Sequence, residues 1–378
     1  MDTRTGLPVV GMVGGGQLAR MTHQAAIALG QGLRVLAQRP DDGAALVTAD
    51  VQIGEHTDLA ALRTFAKGCD LVTFDHEHVP SEHIRALEAE GVRLYPSADA
   101  LRYAQDKRQM REKLSALGAP VPRWRSVASA AHLDAFGYPA VLKAARGGYD
   151  GRGVWMLDGP GDAADVLASG TELIVEERVP LRRELAVQVA RSPFGQVAVF
   201  PVVETVQRDG ICVEVIAPAP GLPDAVAEEA QRLAIALAAG LDVVGMLAVE
   251  LFETASGPTV NELAMRPHNS GHWTIEGART SQFEQHLRAV LDYPLGETSM
   301  TEPVVVMANV LGGPPGGMSI DERLHHLFAD DPGARVHLYG KQTRPGRKIG
   351  HVTVLGDDLS SVRARAARAA AWLREGPQ

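Results

Sequence analysis

A glycine-rich turn lies directly after the first apolar run of the chain, and it restricts the fold more than any other feature. The run Val9–Val13 is followed by Gly14, Gly15 and Gly16, after which a helix-like segment begins at Gln17. Glycines at this place let a strand turn tightly into a helix, and they let a phosphate approach the helix N-terminus. The sequence therefore predicts a βα unit with room for a phosphate.

The same turn fits part of the dinucleotide fingerprint through Gly14, Gly16 and Ala19. The second predicted strand is followed by Gln38 and Arg39, so it offers no acidic side chain to the ribose of NAD, whereas Arg39 suits the 2′-phosphate of NADP. A phosphate site, an NADP-dependent oxidoreductase and a turn without a ligand are therefore three alternatives at this stage.

Short apolar runs alternate with helix-like segments over residues 8–96, which is typical of βαβ units around a parallel sheet. The strands predicted in this part are 9–13, 33–36, 51–53, 71–74 and 92–94. One helix is predicted over 98–117, and the breakers from Gly118 to Pro122 indicate a linker. We therefore place a Rossmann-like first domain at residues 1–118.

Two further domains are predicted. Residues 119–182 form a small domain with strands at 140–144, 154–157 and 173–177. Residues 183–378 form a larger domain with strands at 185–190, 196–203 and 211–216, a hairpin over 243–264, and helices near 225–239, 282–291 and 360–375. Short turns between these strands indicate antiparallel pairing. The predicted fold class is α/β, with α+β character in the later domains.

Charge and composition argue against several functional classes. The chain has 37 Lys and Arg against 46 Asp and Glu, and a net charge of −9 does not suit a nucleic-acid-binding surface. Cys69 and Cys212 are far apart and belong to no CxxC pair, so neither a disulfide framework nor a thiolate zinc site is expected. Without a membrane-length apolar stretch or an export signal, we expect a cytoplasmic protein with no membrane partner.

A second glycine-rich segment follows a predicted strand that contains Lys143. Gly147, Gly148, Gly151 and Gly153 fall within seven residues between two predicted strands. Such a loop lets the backbone fold over a polyphosphate, while the lysine supplies a point charge. We therefore expect a phosphate-binding loop, and a hairpin with a solvated lysine is the alternative.

Two acidic residues are predicted to oppose each other in the hairpin over 243–264. A turn centred on Ser256 places Glu250 opposite Glu262 on one face of the two strands. Opposed carboxylates in an apolar setting repel each other unless a cation lies between them, and oxygen ligands favour Mg²⁺ or Mn²⁺. The pair predicts a metal site, and solvated or protonated carboxylates are the alternative.

Histidines give weaker signals. His76 and His78 would share one face of an extended segment and could ligate zinc, but the sequence indicates no third ligand. His268 and His272 have helical spacing, although Asn269 and the residues after it disfavour a helix. Polar loop residues are therefore the favoured interpretation of His76 and His78.

Taken together, these motifs resemble the ATP-grasp superfamily, because the glycine loop after Lys143, the acidic strand 173–179 and the Glu250 and Glu262 pair follow that superfamily's order. Within it, the chain is similar to the 5-(carboxyamino)imidazole ribonucleotide synthetases. The segments that carry this resemblance are Gly15–Leu18, Gln105–Lys107, Gly147–Gly153, Arg183–Glu184, Asn261–Ala264 and Arg266–His272.

The resemblance implies a three-domain ATP-grasp fold that uses ATP and Mg²⁺, with Mn²⁺ as a substitute. It implies ATP-dependent carboxylation of 5-aminoimidazole ribonucleotide by bicarbonate through carboxyphosphate, which gives 5-(carboxyamino)imidazole ribonucleotide, ADP and phosphate in purine biosynthesis. A homodimer is implied as well. A formate-dependent glycinamide ribonucleotide transformylase, and a nucleotide-binding regulator without turnover, are the alternatives that share this ATP site.

The resemblance also implies roles for individual residues. ATP would be bound by Lys107, Lys143, Gly148, Tyr149, Asp150, Gly151, Arg152, Gly153, Val154, Glu176, Glu177, Arg178, Val179, Glu184, Gln207, Asn261 and Glu262. The substrate nucleotide would be bound by Gly15, Gln17, Leu18, Glu77, Arg266, His268, Asn269, Arg347 and Lys348. The catalytic residues would be Tyr149, Asp150, Arg266 and Lys348, and the metal ligands would be Glu250 and Glu262.

Overall fold

The computed structural model describes residues 1–148, 151–314 and 317–376. The strands of these residues form three sheets, which lie in three successive stretches of the chain. The first sheet falls within 1–118, the second within 119–182 and the third within 183–378. The limits of the three domains themselves stay a prediction. No helix in the described parts of the chain is long and apolar enough to span a membrane.

The N-terminal region has a four-stranded parallel sheet in the order β3-β2-β1-β4. Its elements are β1 (Val9–Val13), α1 (Gln17–Leu29), β2 (Gly32–Ala37), β3 (Asp50–Ile53), α2 (Leu59–Ala66), β4 (Leu71–Phe74), α3 (Ser81–Ala89), α4 (Ala98–Gln105) and α5 (Lys107–Ala116). The strand predicted over 92–94 is wrong, because only a single bridge joins Leu94 to Val72.

The helix predicted over 98–117 is also wrong as one unit, because it is interrupted at Asp106. This residue has extended backbone angles (φ −135°, ψ 108°), and its side chain accepts hydrogen bonds from the backbone N–H groups of Arg108 and Gln109. An aspartate in this position caps a new helix. The interruption makes Lys107 the first residue of α5, at the edge of the central cavity.

The middle region forms an antiparallel sheet in the order β5-β8-β6-β7. Its elements are β5 (Trp124–Val127), α6 (Ala130–Phe136), β6 (Ala140–Ala144), β7 (Val154–Leu157), a 3₁₀ turn (Pro160–Ala163), α7 (Ala164–Ala168) and β8 (Leu173–Glu177). The predicted strands 140–144, 154–157 and 173–177 are confirmed. This region has an apolar core of its own, which includes Leu133, Leu142 and Val175.

The C-terminal region is built on an antiparallel sheet in the order β14-β13-β9-β11-β12-β15-β17-β16, with β10 paired to β9. Its elements are β9 (Arg183–Arg191), β10 (Val197–Val199), β11 (Val203–Arg208), β12 (Ile211–Ala217), α8 (Asp224–Gly240), β13 (Gly245–Thr254), β14 (Gly257–Ala264), a 3₁₀ turn (Asn269–Gly271), α9 (Thr274–Gly277), α10 (Gln282–Val290), β15 (Val304–Leu311), α11 (Ile320–Asp330), β16 (Arg335–Leu338), β17 (Lys348–Gly356) and α12 (Leu359–Glu375). The single strand predicted over 196–203 is wrong, because Pro201 separates β10 from β11 and cannot donate a ladder hydrogen bond.

The N-terminal and C-terminal regions pack on each other. One cluster of buried apolar side chains contains Phe65 and Leu101 from the first region together with Leu247 and Leu263 from the third. The middle region keeps a separate core. The cavity described next therefore has one wall built from two interlocked regions and another wall that packs independently.

Candidate active site

A cavity of about 1970 Å³ lies between the three regions. It is lined by these predicted site residues: Gln17, Leu18, Glu77, Lys107, Lys143, Gly148, Gly151, Arg152, Val154, Glu176, Glu177, Arg178, Val179, Glu184, Gln207, Glu250, Asn261, Glu262, Arg266, His268, Asn269, Arg347 and Lys348. Gly15 and Gly153 do not line it. Tyr149 and Asp150, predicted as ATP-binding and catalytic, lie outside the described residues. The structure thus brings the predicted ATP-binding residues and the predicted substrate-binding residues to one cavity.

The first glycine turn is occupied by a side chain of the protein itself. Asp75, directly after β4, accepts hydrogen bonds from the N–H groups of Gly16 (2.7 Å) and Ala19 (2.8 Å) at the start of α1. A Cβ atom at Gly16 would overlap this carboxylate, and one at Gly14 would lie 2.8 Å from the Asp75 Cβ. Gly14 and Gly16 therefore make room for Asp75, and the phosphate expected at this turn stays a prediction.

Gly15 is buried for a different reason. A Cβ atom there would lie 2.8 Å from the Cβ of Ala37 and 3.0 Å from that of Asp42. The side chain of Gln17 accepts a hydrogen bond from Lys341 (2.6 Å), and Gln17 and Leu18 line the cavity. Of the three residues predicted from the turn itself, only these two therefore reach the site.

The acceptor end of the cavity is organised by an ion pair. Arg266 donates to Glu77 (2.8 Å), and the second carboxylate oxygen of Glu77 is buried with no hydrogen-bond partner among the described residues. Beside them, the side-chain amides of Asn269 and Asn309 bond to each other in both directions, at 2.9 and 2.8 Å. This end therefore holds a fixed cation next to a buried carboxylate oxygen that has no hydrogen-bond partner among the described residues.

The two predicted metal ligands are directly opposed, as expected, but for a different reason. The hairpin turn contains only Ala255 and Ser256, so Thr254 pairs with Gly257 and the register is displaced by one residue from the predicted one. A bulge after Glu250 restores the predicted register, and Glu250 pairs with Glu262.

The electrostatics of this pair favour a cation. Burial, followed by the negative charges of Glu262 and Glu184, raises the pKa of Glu250 to about 7. Lys107 makes an ion pair with Glu262, and His268 Nε2 lies 3.4 Å from Glu250. Lys107 does not fully offset the repulsion, since the raised pKa persists beside it. Oxygen donors in this state suit Mg²⁺ or Mn²⁺.

Lys143, on β6 of the middle sheet, lies in a polar network that reaches β14 beside Glu262. Its Nζ atom is 2.7 Å from Glu176 and donates to the side chain of Asn261 at 3.0 Å. The other oxygen of Glu176 accepts a 2.6 Å hydrogen bond from Arg111. The carboxylate of Glu176 is therefore held by two cations, and its predicted contact with adenine stays a prediction.

Glu184 occupies another wall, where β9 runs beside β11 and β13. Burial raises the pKa of Glu184, and a hydrogen bond with the side chain of Gln207 partly opposes this shift. The amide of Gln207 thus lies beside a carboxylate that can accept hydrogen bonds from hydroxyl groups.

The glycines of the second loop have different surroundings, which are open at Gly147 and close to other backbone atoms at Gly148 and Gly151. Gly147, Gly151 and Gly153 have φ values of +75°, +75° and +73°, and a Cβ atom at Gly147 would meet no atom within 4 Å. A Cβ atom at Gly151 would lie 3.1 Å from the Cα of Gly210, so the loop reaches the turn between β11 and β12. Left-handed backbone of this kind favours glycine whether or not the site is crowded.

The side chains of His76, His78 and His272 contact other side chains of the protein. His76 and His78 lie in the loop after β4 rather than on a strand, and their rings stack with centroids 5.2 Å apart. His272 is fully buried beside Gln282 (3.0 Å), just after the 3₁₀ turn. Within the three described stretches of chain, no group of three or more His, Cys, Asp and Glu side chains is arranged to hold a metal ion.

Sequence reasoning missed Asp75 and Arg111, although each had a usable signal. Asp75 follows a parallel strand beside the first glycine turn, at the sheet edge where ligands and polar residues gather. Arg111 is four residues after Lys107, which places both on one face of a helix. The partners of these side chains are 56 to 150 residues away in the sequence.

Three family models match the chain in succession. They describe a ribonucleotide synthetase preATP-grasp domain over residues 7–105, an ATP-grasp domain over 112–283 and a phosphoribosylaminoimidazole carboxylase C-terminal domain over 305–365. The N5-carboxyaminoimidazole ribonucleotide synthase of Mycobacterium tuberculosis is 63% identical over 379 residues, which cover 98% of this chain and 88% of that protein.

Solved structures agree with this similarity. A crystal structure of an N5-carboxyaminoimidazole ribonucleotide synthetase in complex with ADP has a TM-score of 0.89 at 35% identity, over 97% of each chain. That of N5-carboxyaminoimidazole synthase from Aspergillus clavatus, in complex with ADP and 5-aminoimidazole ribonucleotide, has a TM-score of 0.87 at 32% identity, over 97% of this chain and 98% of that one.

Proposed function

Since the chain belongs to the N5-carboxyaminoimidazole ribonucleotide synthase family, an ATP-grasp family of purine biosynthesis, we propose how the residues of its cavity divide the work of that reaction. The chain is an ATP-dependent carbon–nitrogen ligase that carboxylates 5-aminoimidazole ribonucleotide with bicarbonate. The roles of individual residues, the metal and the assembly state are the proposal.

The chemistry requires two binding ends in one closed space. Bicarbonate is a poor electrophile because its charge is delocalised, so ATP first transfers its γ-phosphoryl group to it and forms carboxyphosphate. Positive groups must offset the charge that develops when two anions meet. Carboxyphosphate, or carbon dioxide released from it, must then reach the exocyclic amine before water does. The adjacency of Lys107, Lys143 and the Glu77–Arg266 pair in a single cavity supports this arrangement.

At the ATP end, Lys107 and Lys143 bind the phosphates, and the loop that includes Gly148, Gly151 and Arg152 covers them. The end of β8 and Val179 border the adenine, while Glu184 accepts hydrogen bonds from the ribose. Two observations support these roles: both lysines line the cavity close to β14, and Glu184 lines it together with Gln207. Point charges with flexible stems suit phosphate groups that change shape during transfer.

Glu250 and Glu262 hold Mg²⁺, or Mn²⁺ in its place. Their opposed register and the raised pKa of Glu250 fit an oxygen-coordinated dication. When bound, the metal would offset the negative charge of the phosphates during transfer. Lys107 makes an ion pair with Glu262 and so holds this carboxylate at the cavity wall.

At the acceptor end, Arg266, Asn269, Arg347 and Lys348 bind the substrate nucleotide together with Gln17 and Leu18. Carbon–nitrogen bond formation releases a proton from the exocyclic amine, and a base within reach accelerates it. Among the described residues, Glu77 is the candidate for this base. One of its oxygens is fixed by Arg266, and the other is buried with no hydrogen-bond partner among these residues.

The proposal is tested by measuring phosphate release from Mg²⁺-ATP with 5-aminoimidazole ribonucleotide and bicarbonate each added or omitted. We expect release that requires both, together with labelled carbon from bicarbonate bound to the nucleotide. Release stimulated by a different phosphorylated amine would move the acceptor assignment to another ATP-grasp ligase. No release under any condition would contradict turnover altogether.

The metal assignment is tested with Glu262→Gln, which should lower ATP turnover at least about a hundredfold because the negative charge and one of the two oxygen donors are lost. Glu302→Gln, a change at an exposed glutamate outside the cavity, is the matched control and should retain full turnover. Undiminished turnover of the Glu262 variant would refute the metal assignment.

For the assembly, we propose a homodimer, which sedimentation at several protein concentrations would test.

A further inference from the structure

Arg111 is a fully buried arginine that joins the three parts of the ATP end. It projects from α5, and its Nε donates to Glu176 on β8 at 2.6 Å. Its terminal nitrogens donate to the backbone carbonyls of Val260 (3.1 Å) and Asn261 (2.7 Å) on β14. One guanidinium therefore contacts the middle sheet and the strand that carries Glu262.

Arg111 and Lys143 share the negative charge of one glutamate, Glu176. Glu176 is almost fully buried and bonds to both Arg111 and Lys143. The positive charges of Lys143 and Arg111 outweigh burial and lower the pKa of Glu176 to about 2, so it is ionised. Two cations share one carboxylate, which gives the group a net charge of about +1. A Lys143–Glu176 pair alone would be neutral.

We propose that Arg111 is a positioning residue for ATP: by neutralising Glu176 and holding the backbone at Asn261, it leaves the charge of Lys143 available to the triphosphate. The inference rests on the proposed role of Lys143 as a phosphate ligand. Arg111 does not reach the cavity itself and acts only through Glu176, Lys143 and the strand beside Glu262.

The geometry requires an arginine. A guanidinium presents several donors in a rigid plane and serves acceptors on two different elements at once, whereas an ammonium group is a single point from which three separate acceptors are difficult to reach. Lys107 lies one turn earlier on the same helix and contacts Glu262. Helix α5 thus contacts Glu262 through Lys107 and Glu176 through Arg111.

The test compares the binding of ATP and of adenosine by calorimetry in Arg111→Met, Arg111→Lys and Lys143→Met. Because Arg111 acts on the phosphates through Lys143, Arg111→Met should weaken ATP binding at least about tenfold and change adenosine binding less than about twofold. Arg111→Lys, which keeps the charge and loses the fork, should lie between Arg111→Met and the wild type. In a Lys143→Met background, Arg111→Met should lower the ATP-to-adenosine ratio further, because Glu176 is then left with neither of its two cations.

Arg323 provides a matched control, since it is also a buried arginine that holds backbone carbonyls, those of Leu373 and Arg374, away from the cavity. Arg323→Met should lower the unfolding temperature and leave the ATP-to-adenosine ratio unchanged. An ATP-to-adenosine ratio that stays unchanged in the Arg111 variants would overturn the inference, whether both affinities fall equally or neither falls.

The same variants separate the proposed phosphate role of Lys143 from the inference about Arg111. If Lys143→Met leaves ATP binding unchanged, the proposed phosphate role of Lys143 is wrong. If Lys143→Met weakens ATP binding and neither Arg111 variant does, only the inference about Arg111 is wrong. Should Arg111→Met not fold, Arg111→Lys alone decides, because loss of the fork is expected to lower the ATP-to-adenosine ratio measurably.

Discussion

The glycine turn at residues 14–16 is filled by Asp75 of the same chain, whereas the glycine loop that begins at Gly147 faces an open cavity. In the first, glycines permit close contact between the start of α1 and a carboxylate. In the second, glycines adopt left-handed backbone with free space at Gly147. Glycine-rich sequence thus serves two purposes here, internal packing in one place and conformational freedom over a ligand site in the other.

The carboxylates beside the two segments differ in the same way. Asp75 accepts hydrogen bonds from two backbone N–H groups, so these groups are satisfied within the chain. Glu250 and Glu262 oppose each other across a hairpin, and burial together with the charge of Glu262 raises the pKa of Glu250 to about 7, so we propose that a metal cation completes the second site. We infer that disturbance of the first segment costs folding stability, while disturbance of the second changes ligand binding.

The largest effect is expected from Gly16→Ala. The added methyl group would displace the Asp75 carboxylate, and two buried hydrogen bonds at the start of α1 would be lost. We expect the free energy of unfolding to fall by about 2–4 kcal/mol. Urea denaturation followed by circular dichroism measures it. A loss below about 1 kcal/mol would mean that Asp75 moves aside freely and that the first turn is as adaptable as the second.

A smaller effect is expected from Glu250→Gln, and it should depend on pH. The pKa of Glu250 is about 7 in the folded protein against 4.5 for the ordinary side chain. Between these values the unfolded chain releases a proton that the folded chain retains, so wild-type stability falls as pH rises through this window and levels off above it. Glu250→Gln lacks this loss and should be more stable than wild type by about 1–3 kcal/mol at pH 8 without metal.

Urea denaturation at pH 5 and pH 8, with and without Mg²⁺, measures this difference. At pH 8 added Mg²⁺ should restore the stability of the wild-type protein and leave that of Glu250→Gln almost unchanged, because only the wild type offers two opposed carboxylates. Glu302→Gln serves as the control for a change of charge alone. A stability difference that does not vary with pH would show that the second site, like the first, is complete without a ligand.

Local pattern was sufficient for much of the fold and for the opposed glutamates. The strands 9–13, 71–74, 140–144, 154–157 and 173–177 have the predicted bounds, because their signal lies within each apolar run. Position along the chain could not indicate that Asp75 fills the first glycine turn, since hydrogen bonds to Gly16 and Ala19 span more than 50 residues. The same limit applies to Arg111, whose partners lie on two other elements.

The register of the metal pair shows how a correct prediction can rest on an incorrect step. A turn centred on Ser256 was needed to oppose Glu250 and Glu262, yet the real turn is shorter by one residue and a bulge after Glu250 compensates. Bulges have no strong local sequence signal because they depend on neighbouring strands. The residues that bind the ligand are therefore easier to predict than the backbone that brings them together.

The smallest effect on stability is expected from Gly147→Ala, which tests the other side of the comparison. Alanine in left-handed backbone costs roughly 1–2 kcal/mol, and relaxation of the exposed loop should reduce the measured loss to about 1 kcal/mol or less. Because the loop covers the phosphates in the proposed mechanism, the KM for ATP should nevertheless rise several-fold. Gly170→Ala is a matched control, since Gly170 has a φ of +73°, equally open surroundings and no place in the cavity. Equal stability losses with a change in KM only for Gly147→Ala would assign the second loop to ligand binding, and equal KM values would reduce it to an ordinary turn.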